Sequence, residues 1–462
     1  MGGEWREATI EEVAEKVAMG PFGSSIKVET FVSDGIPVIS GQHLHGFKVD
    51  DRIGFNYVTE EHAGRLRNAN VQRGDVIFTH AGNIGQVAFV PWNSLYERYV
   101  ISQRQFYMRC DRSKVIPEFV VAYFKTPEGQ HRLLANTSQT GVPSIARPVS
   151  YLRTIPIPLP PIEEQRAIAH ILGTLDDKIE LNRKMSETLE EMARALFKSW
   201  FVNFDPVVWN AVQAGNPIPE RFAATAARYH NGAPCPVSGN IVNLFPDSFE
   251  SSELGDIPKG WEVKPLPQVI DVNPPRKLTK GRVAPYLDMA NMPTQGHSPD
   301  VVIERSFTSG MRFINGDTLL ARITPCLENG KTAFVDFLND GQVGWGSTEY
   351  IVLRPKPPLP NEFAYCLARD AEFREFAIQS MTGSSGRQRV PAKALDHFTI
   401  VTPPEEISRA FGKQVTPIFA RSSAAALESR TLAVLRDTLL PKLISGKLRV
   451  KDGGKLIERI QT

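Results

Sequence analysis

Arg73-Gly74-Asp75-Val76-Ile77-Phe78, followed after a loop by Gln86-Val87-Ala88-Phe89-Val90, is answered later in the chain by Asn315-Gly316-Asp317-Thr318-Leu319-Leu320 and then Lys331-Thr332-Ala333-Phe334-Val335. The copies lie 242 to 245 residues apart. The same shift carries Phe106-Tyr107-Met108-Arg109 onto Ile351-Val352-Leu353-Arg354, Gln139-Thr140-Gly141 onto Met381-Thr382-Gly383, and Pro160-Pro161-Ile162-Glu163 onto Thr402-Pro403-Pro404-Glu405. A repeat this long decides the architecture before any element is assigned, because one folding unit is written twice.

Within each copy, short β-branched and aromatic runs are bounded by Gly, Asn and Asp, so residues 5 to 158 and 258 to 402 read as strand-rich domains with a few helices. Both end on prolines, Ile155-Pro156-Ile157-Pro158-Leu159-Pro160-Pro161 and Val401-Thr402-Pro403-Pro404, and proline suits a first helical turn. A long helix is predicted after each. In the first, Ile168, Leu172, Leu175, Ile179, Leu189, Ala193, Leu196 and Trp200 recur at coiled-coil spacing. In the second, Phe411, Val415, Ile418, Ala425, Leu432, Leu439 and Leu443 repeat the seam at a 243-residue shift. Either stripe alone would expose a long apolar strip, so the two are expected to pack on each other. Asn182 and Ser186 interrupt the first seam, either as a buried register mark or as a solvated, partner-facing break. About 38 helical residues at about 1.5 Å each make a rod of roughly 57 Å. Residues 202 to 257, rich in Pro, Gly, Asn and aromatics, read as a partly packed linker.

A chain of 462 residues accommodates about two to four domains. Hydrophobic content of 42% and charged content of 23% are those of a globular protein, and no apolar run nears the roughly 20 residues of a membrane span. The acidic start, MGGEWREATIEEVA, has no secretory pattern, which predicts a cytoplasmic protein. Cys110, Cys235, Cys326 and Cys366 lack paired spacing and read as reduced thiols. A net charge of +2 argues against binding nucleic acid by bulk charge, leaving local patches.

No catalytic constellation emerges. Gly330-Lys331-Thr332 resembles the tail of a phosphate-binding loop, but its first glycine would fall at Pro325 and the segment lies between strands. Asn273-Pro274-Pro275 is followed by Arg276 where an amino-methyltransferase places an aromatic. His43, His45 and His80 have no acidic or Cys companions at metal spacing.

The loops between the repeated strands carry side chains suited to phosphates and base edges. In the first copy the candidates are Ser24, Ser25, Lys27, Gln42, His43, His80, Asn83, Gln103 and Arg104. In the second they are Arg276, Lys277, Lys280, Arg282, Arg322, Thr324, Ser347, Thr348, Ser385, Arg387, Gln388 and Arg389. Arginine pairs in a fork with guanine, and Gln or Asn with adenine, whereas lysine suits phosphate.

Together these segments resemble the specificity subunits of type I restriction-modification systems. The resemblance rests on Ile155 through Arg166 opening the first long helix, Leu196-Phe197-Lys198-Ser199-Trp200-Phe201-Val202-Asn203-Phe204-Asp205-Pro206 closing it, and Leu244-Phe245-Pro246-Asp247-Ser248-Phe249 ahead of Gly260-Trp261-Glu262-Val263. It implies an α+β chain of two tandem target recognition domains, at 1–159 and 258–402. A central spacer helix at 160–201, a linker at 202–257, a distal spacer helix at 403–446 and a tail at 447–462 complete it. The helices would pack antiparallel, setting the gap between half-sites while the loops set their identity. The implied partners are double-stranded DNA, two modification subunits and restriction subunits. S-adenosylmethionine, ATP and Mg would belong to those partners, leaving this chain non-catalytic, without cofactor or metal. In the second copy Glu405-Glu406-Ile407 is not followed by the Gln-Arg of Glu163-Glu164-Gln165-Arg166, which weakens the implied docking there. A coiled-coil scaffold without DNA specificity is the alternative, and a stand-alone nuclease or methyltransferase has no motif to support it.

Overall fold

The computed structural model describes residues 5–22, 25–138, 141–237, 239–299, 301–384 and 386–450. The chain forms two compact units, one built from the residues up to Ile179 with those from Thr431 onward, the other from Glu180–Arg430.

The first unit holds two four-stranded sheets. One orders Ala14–Met19, Gln105–Cys110, Val76–Thr79 and Val87–Phe89, all antiparallel. The other orders Asn56–Val58, Ile36–Ile39, Arg98–Ile101 and Asn70–Gln72, with its two middle strands parallel. A two-stranded ribbon, Arg6–Thr9 against Pro156–Leu159, closes the domain. Val76, Ile77 and Phe78 are fully buried on both faces, which is why that run lacks polar alternation. Prolines open the helices Pro117–Phe124, Pro127–Leu134 and Pro148–Thr154, and Thr126 caps the second by accepting from the Gly129 N–H.

The second unit repeats this plan strand for strand. Ile270–Val272, Tyr350–Pro355, Thr318–Ala321 and Thr332–Phe334 form the antiparallel sheet. Ile303–Ser306, Val283–Leu287, Gly344–Gly346 and Met311–Phe313 form the mixed one, again parallel at its centre. Glu262–Pro265 pairs with Thr399–Thr402 as the closing ribbon. The duplication read from Gly-Asp therefore extends to the whole topology.

The Gly-Asp pair also does the same job twice. Gly74 and Gly316 sit at φ of +86° and +85°, where a β-carbon would strike Trp92 or Asn361. Asp75 accepts from the Gln72 N–H at 2.9 Å and from Arg109 Nε and Nη2 at 2.8 and 2.7 Å. Asp317 accepts from the Ile314 N–H at 2.8 Å, from Arg354 Nε at 2.7 Å and from Arg276 Nη2 at 3.0 Å.

The long helices are Ile162–Phe201 and Glu405–Ile444. Their contacts run in opposite directions along the two helices. In the first unit Arg436 Nη1 donates to Asp176 Oδ1 at 2.6 Å, and Leu172 and Leu175 share a core with Leu432, Leu439 and Leu443. In the second unit Asn182 Nδ2 donates to Glu428 Oε2 at 2.7 Å, Ser186 Oγ faces the Ser422 carbonyl at 3.5 Å, and Phe197, Trp200 and Phe201 pack with Phe411, Val415 and Phe419. Asn182 is thus buried between the helices.

The expected seam is too narrow. Leu189, Leu196 and Ile418 are only half-buried, while Phe197 and Phe419 are buried. The reason is that each helix also packs on its domain: Phe197 lies 5.1 Å from Phe363, and Phe419 lies 5.6 Å from Tyr365, centroid to centroid. Among the described residues of 202 to 257, read as a partly packed linker, the packing is extensive. Helices Asp205–Ala214 and Ala223–His230 and a hairpin of Phe249–Ser252 with Gly255–Pro258 bring Phe204, Phe222 and Phe245 into the second unit's core.

Gln165 explains one feature of the helix-opening motif. It is fully buried, accepting from the Ile116 N–H at 3.1 Å and donating to the carbonyls of Lys114 and Pro160. Ser408 takes the corresponding place in the second copy and donates to the Pro404 carbonyl at 3.2 Å. The missing glutamine therefore changes how that helix is tied to its own domain.

Lys125 sits where the first domain meets both helices, 5.2 Å from the Phe47 ring, and burial pulls its ammonium down to about 8. Its unfolded value is about 10.4. The folded chain binds this proton less tightly, so the penalty on folding is complete below about pH 8 and fades as pH rises toward about 10.4. Lys125→Met is expected to raise the melting temperature at pH 7, with the gain vanishing near pH 10.5. Melting curves across that range test it, and a neutral-pH loss would contradict it.

Candidate nucleic-acid interface

In the first domain the loops after the central strands surround an open cleft of about 530 Å³. Its floor is a chain of hydrogen-bonded amides and hydroxyls. Ser102 Oγ donates to Gln105 Oε1, Gln105 Nε2 to Thr79 Oγ1 at 3.4 Å, Thr79 Oγ1 to Gln86 Oε1 at 3.1 Å, and Gln86 Nε2 to the Gly41 carbonyl at 3.0 Å. Gln105 and Thr79 are buried, so their polar groups are held in one arrangement instead of being solvated. Exposed Gln42, Asn83, Gln103 and Arg104 form the rim. A polar floor under exposed amide and guanidinium groups matches what base edges and phosphates require.

Three backbone hydrogen bonds match this region to the second domain. The His80 N–H donates to the Arg104 carbonyl at 2.9 Å, as Arg322 does to Glu349 at 3.0 Å. Gly82 donates to Pro143 at 3.1 Å, as Thr324 does to Gln388 at 3.0 Å. Ile145 donates to His80 at 2.8 Å, as Val390 does to Arg322 at 2.9 Å. The side chains at these matched stations differ. Gln105 corresponds to Tyr350, which is fully buried, Thr79 to Ala321, and Gln86 to Lys331, whose ammonium reaches the Met289 and Ala290 carbonyls. Lys331 of the phosphate-loop-like triplet is thereby engaged between two strands.

The sequence-derived candidates fall into groups. Gln42, Asn83, Gln103 and Arg104 converge on the first cleft, with half-buried His80 beside them, its Nε2 3.1 Å from the Gln103 carbonyl. Burial lowers the pKa of His80, favouring the neutral imidazole. Ser25 donates to the Phe22 carbonyl at 2.8 Å and Lys27 is exposed on the same loop. His43 is turned inward, stacked 4.3 Å from Phe55, with Nδ1 3.0 Å from the Ser40 N–H, and burial lowers its pKa. Arg322, Thr324, Ser347, Thr348, Arg387, Gln388 and Arg389 gather on the matched loops of the second domain. Lys277, Lys280 and Arg282 are exposed on the segment leading into Val283–Leu287, whereas Arg276 is held by buried Asp317. Ser24 and Ser385 lie outside the described residues. Gln86, Gln105 and Glu349 are not among the sequence-derived candidates, since their places depend on contacts 45, 26 and 40 residues apart.

Arg104→Ala is expected to relax one position of the first half-site, or weaken binding to it, by about 1–3 kcal/mol if the guanidinium reads guanine. Fluorescence anisotropy with half-site variants measures this, and equal affinity for every variant duplex before and after substitution would place Arg104 outside the interface.

Among the described residues no three His, Cys, Asp or Glu side chains converge to hold a metal ion, and no helix is long and apolar enough to cross a membrane.

Residues 2–191 match the family model described as the type I restriction modification DNA specificity domain. The chain is 23% identical to the type I restriction enzyme HindI specificity subunit of Haemophilus influenzae, over 96% of this chain and 100% of that protein. It is 24% identical to the MjaIX specificity subunit of Methanocaldococcus jannaschii, over 97% of this chain and 94% of that one. Its fold is similar to the crystal structure of a type I restriction-modification S subunit from M. genitalium, with a TM-score of 0.53 and 15% identity, covering 95% of this chain and 96% of that one. With two copies of one domain plan and two antiparallel helices, the chain is similar along nearly its whole length to type I restriction enzyme specificity subunits, and its residues 2–191 match their DNA specificity domain.

Proposed function

We propose that the chain reads a bipartite, asymmetric DNA target, one half with each domain, and directs partner subunits that methylate adenine or restrict the DNA. The observation that carries this is a shared topology whose matched loops bear different side chains: an amide floor with Arg104 in one, arginines around Glu349 in the other. Identical loops would specify a symmetric target, and unlike loops specify two different halves.

In this reading the chain performs no bond-making step itself. Two modification subunits would dock on it and bind S-adenosylmethionine, while restriction subunits would use ATP and Mg. The helices would set the gap between the half-sites. A protein scaffold without DNA specificity is not favoured, since it gives no account of the polar cleft.

The test is co-expression with the modification subunit encoded beside it, followed by mapping of methylated adenines across the host genome. One asymmetric motif with a fixed gap is expected. A stable complex that leaves the genome unmodified would sink the proposal.

A further inference from the structure

The second domain carries a carboxylate in the middle of its reading loops, which the first domain does not. Glu349 takes the station of Arg104, Arg322 that of His80, and Arg389 that of Ser144, the last pair each bridging to the matched residues Ile323 and Ala81. Nε of Arg389 lies 2.9 and 3.0 Å from the two Glu349 oxygens, and its Nη2 lies 2.8 Å from Oε1. Arg389 Nη1 donates to the Arg387 carbonyl at 3.1 Å. Arg322 Nε stands 3.9 Å from the same carboxylate.

A carboxylate gains nothing from facing DNA phosphates, and although a free one can accept from the cytosine amino group, both oxygens of Glu349 are already engaged by Arg389. A guanidinium has five N–H groups in a rigid fork. Glu349 takes the side-on pair, on Nε and Nη2, and the Arg387 carbonyl takes one on Nη1. What remains is one N–H on each terminal nitrogen, and a bidentate contact with O6 and N7 of guanine draws on both terminal nitrogens. Arg389 keeps 41% of its side-chain surface exposed, so that pair is reachable, and the ion pair removes most of the rotamer freedom that base contact would otherwise cost.

We propose that Glu349 is a positioning residue that presents the fork of Arg389 to the guanine of a G·C pair in the second half-site. This rests on the second domain being a half-site reader.

The test maps methylation motifs for the complex carrying the wild-type chain, Glu349→Ala, Glu349→Gln and Arg389→Lys, with melting temperatures of each chain recorded. Glu349→Ala and Arg389→Lys are expected to lose preference at a single G·C position of the second half-site, by roughly 5- to 150-fold in discrimination, the span of a good bidentate base contact. The first half-site should be untouched, and Glu349→Gln, which keeps one acceptor, should retain part of the preference. An unchanged motif in Glu349→Ala would overturn the inference. So would loss at an A·T pair, or a uniform fall in modification at every site accompanied by a lower melting temperature. If the wild-type chain itself yields no motif, the reading of the domain fails, and that outcome is distinguishable because it precedes any substitution.

Discussion

Asp317→Ala is expected to destabilise the second domain by about 3–5 kcal/mol, the cost of breaking a buried ion pair from one side. Asp317 is fully buried, and its carboxylate answers three donors: Arg354, Arg276 and the Ile314 N–H. Removing it leaves two guanidinium groups, 18% and 19% exposed, without their anion, and frees a turn N–H that the backbone cannot satisfy. Asp75→Ala should cost less, because beside the Gln72 N–H Asp75 answers a single guanidinium, Arg109, which is 28% exposed and can turn toward water. Denaturant melts of the two variants compare the copies directly, and a larger loss from Asp75→Ala would contradict the account.

Trp200→Ala should cost a similar amount, about 3–5 kcal/mol, by opening a cavity that close packing cannot refill. The indole is 1% exposed and lies 5.1 Å from the Phe245 ring and 5.7 Å from Phe411, so one side chain joins the first long helix, the segment after it and the second long helix. Its Nε1 is buried without a hydrogen-bond partner. Trp200→Phe should therefore be far milder than Trp200→Ala, since it preserves most of the ring volume and removes an unsatisfied donor. Equal losses from the two substitutions would show that volume is not what Trp200 supplies.

The architecture was legible because repetition is a covalent property of the chain. Gly74-Asp75 and Gly316-Asp317 mark the same turn in both copies, and the aligned runs become the same strands. The helices were legible from their coiled-coil stripe, yet the buried aromatics Phe197 and Phe419 fall beside the predicted seam, since a stripe cannot reveal that a helix must also cover a domain. The same blindness turned residues 202 to 257 into a linker: their apolar side chains have no period of their own and find their partners only in the assembled core. Residue type identified loops rich in reading chemistry but not direction. His43 faces Phe55 and Arg276 faces Asp317, while Gln42 and Arg104 open onto the cleft. Glu349 is not among the candidates, since its pairing with Arg389, 40 residues away, is not visible in loop composition.

Each domain begins and ends on one ribbon, Arg6–Thr9 with Pro156–Leu159 and Glu262–Pro265 with Thr399–Thr402. Neighbouring strands lie only about 4.8 Å apart, so the chain leaves each domain almost where it entered. Such a domain is a cassette. Recombination within the two short ribbon segments can substitute a foreign domain for the resident one while the helices keep their sequence and their mutual contacts. Exchange at the two ribbons would thus replace the loops around the cleft in one step and leave the paired helices as they are.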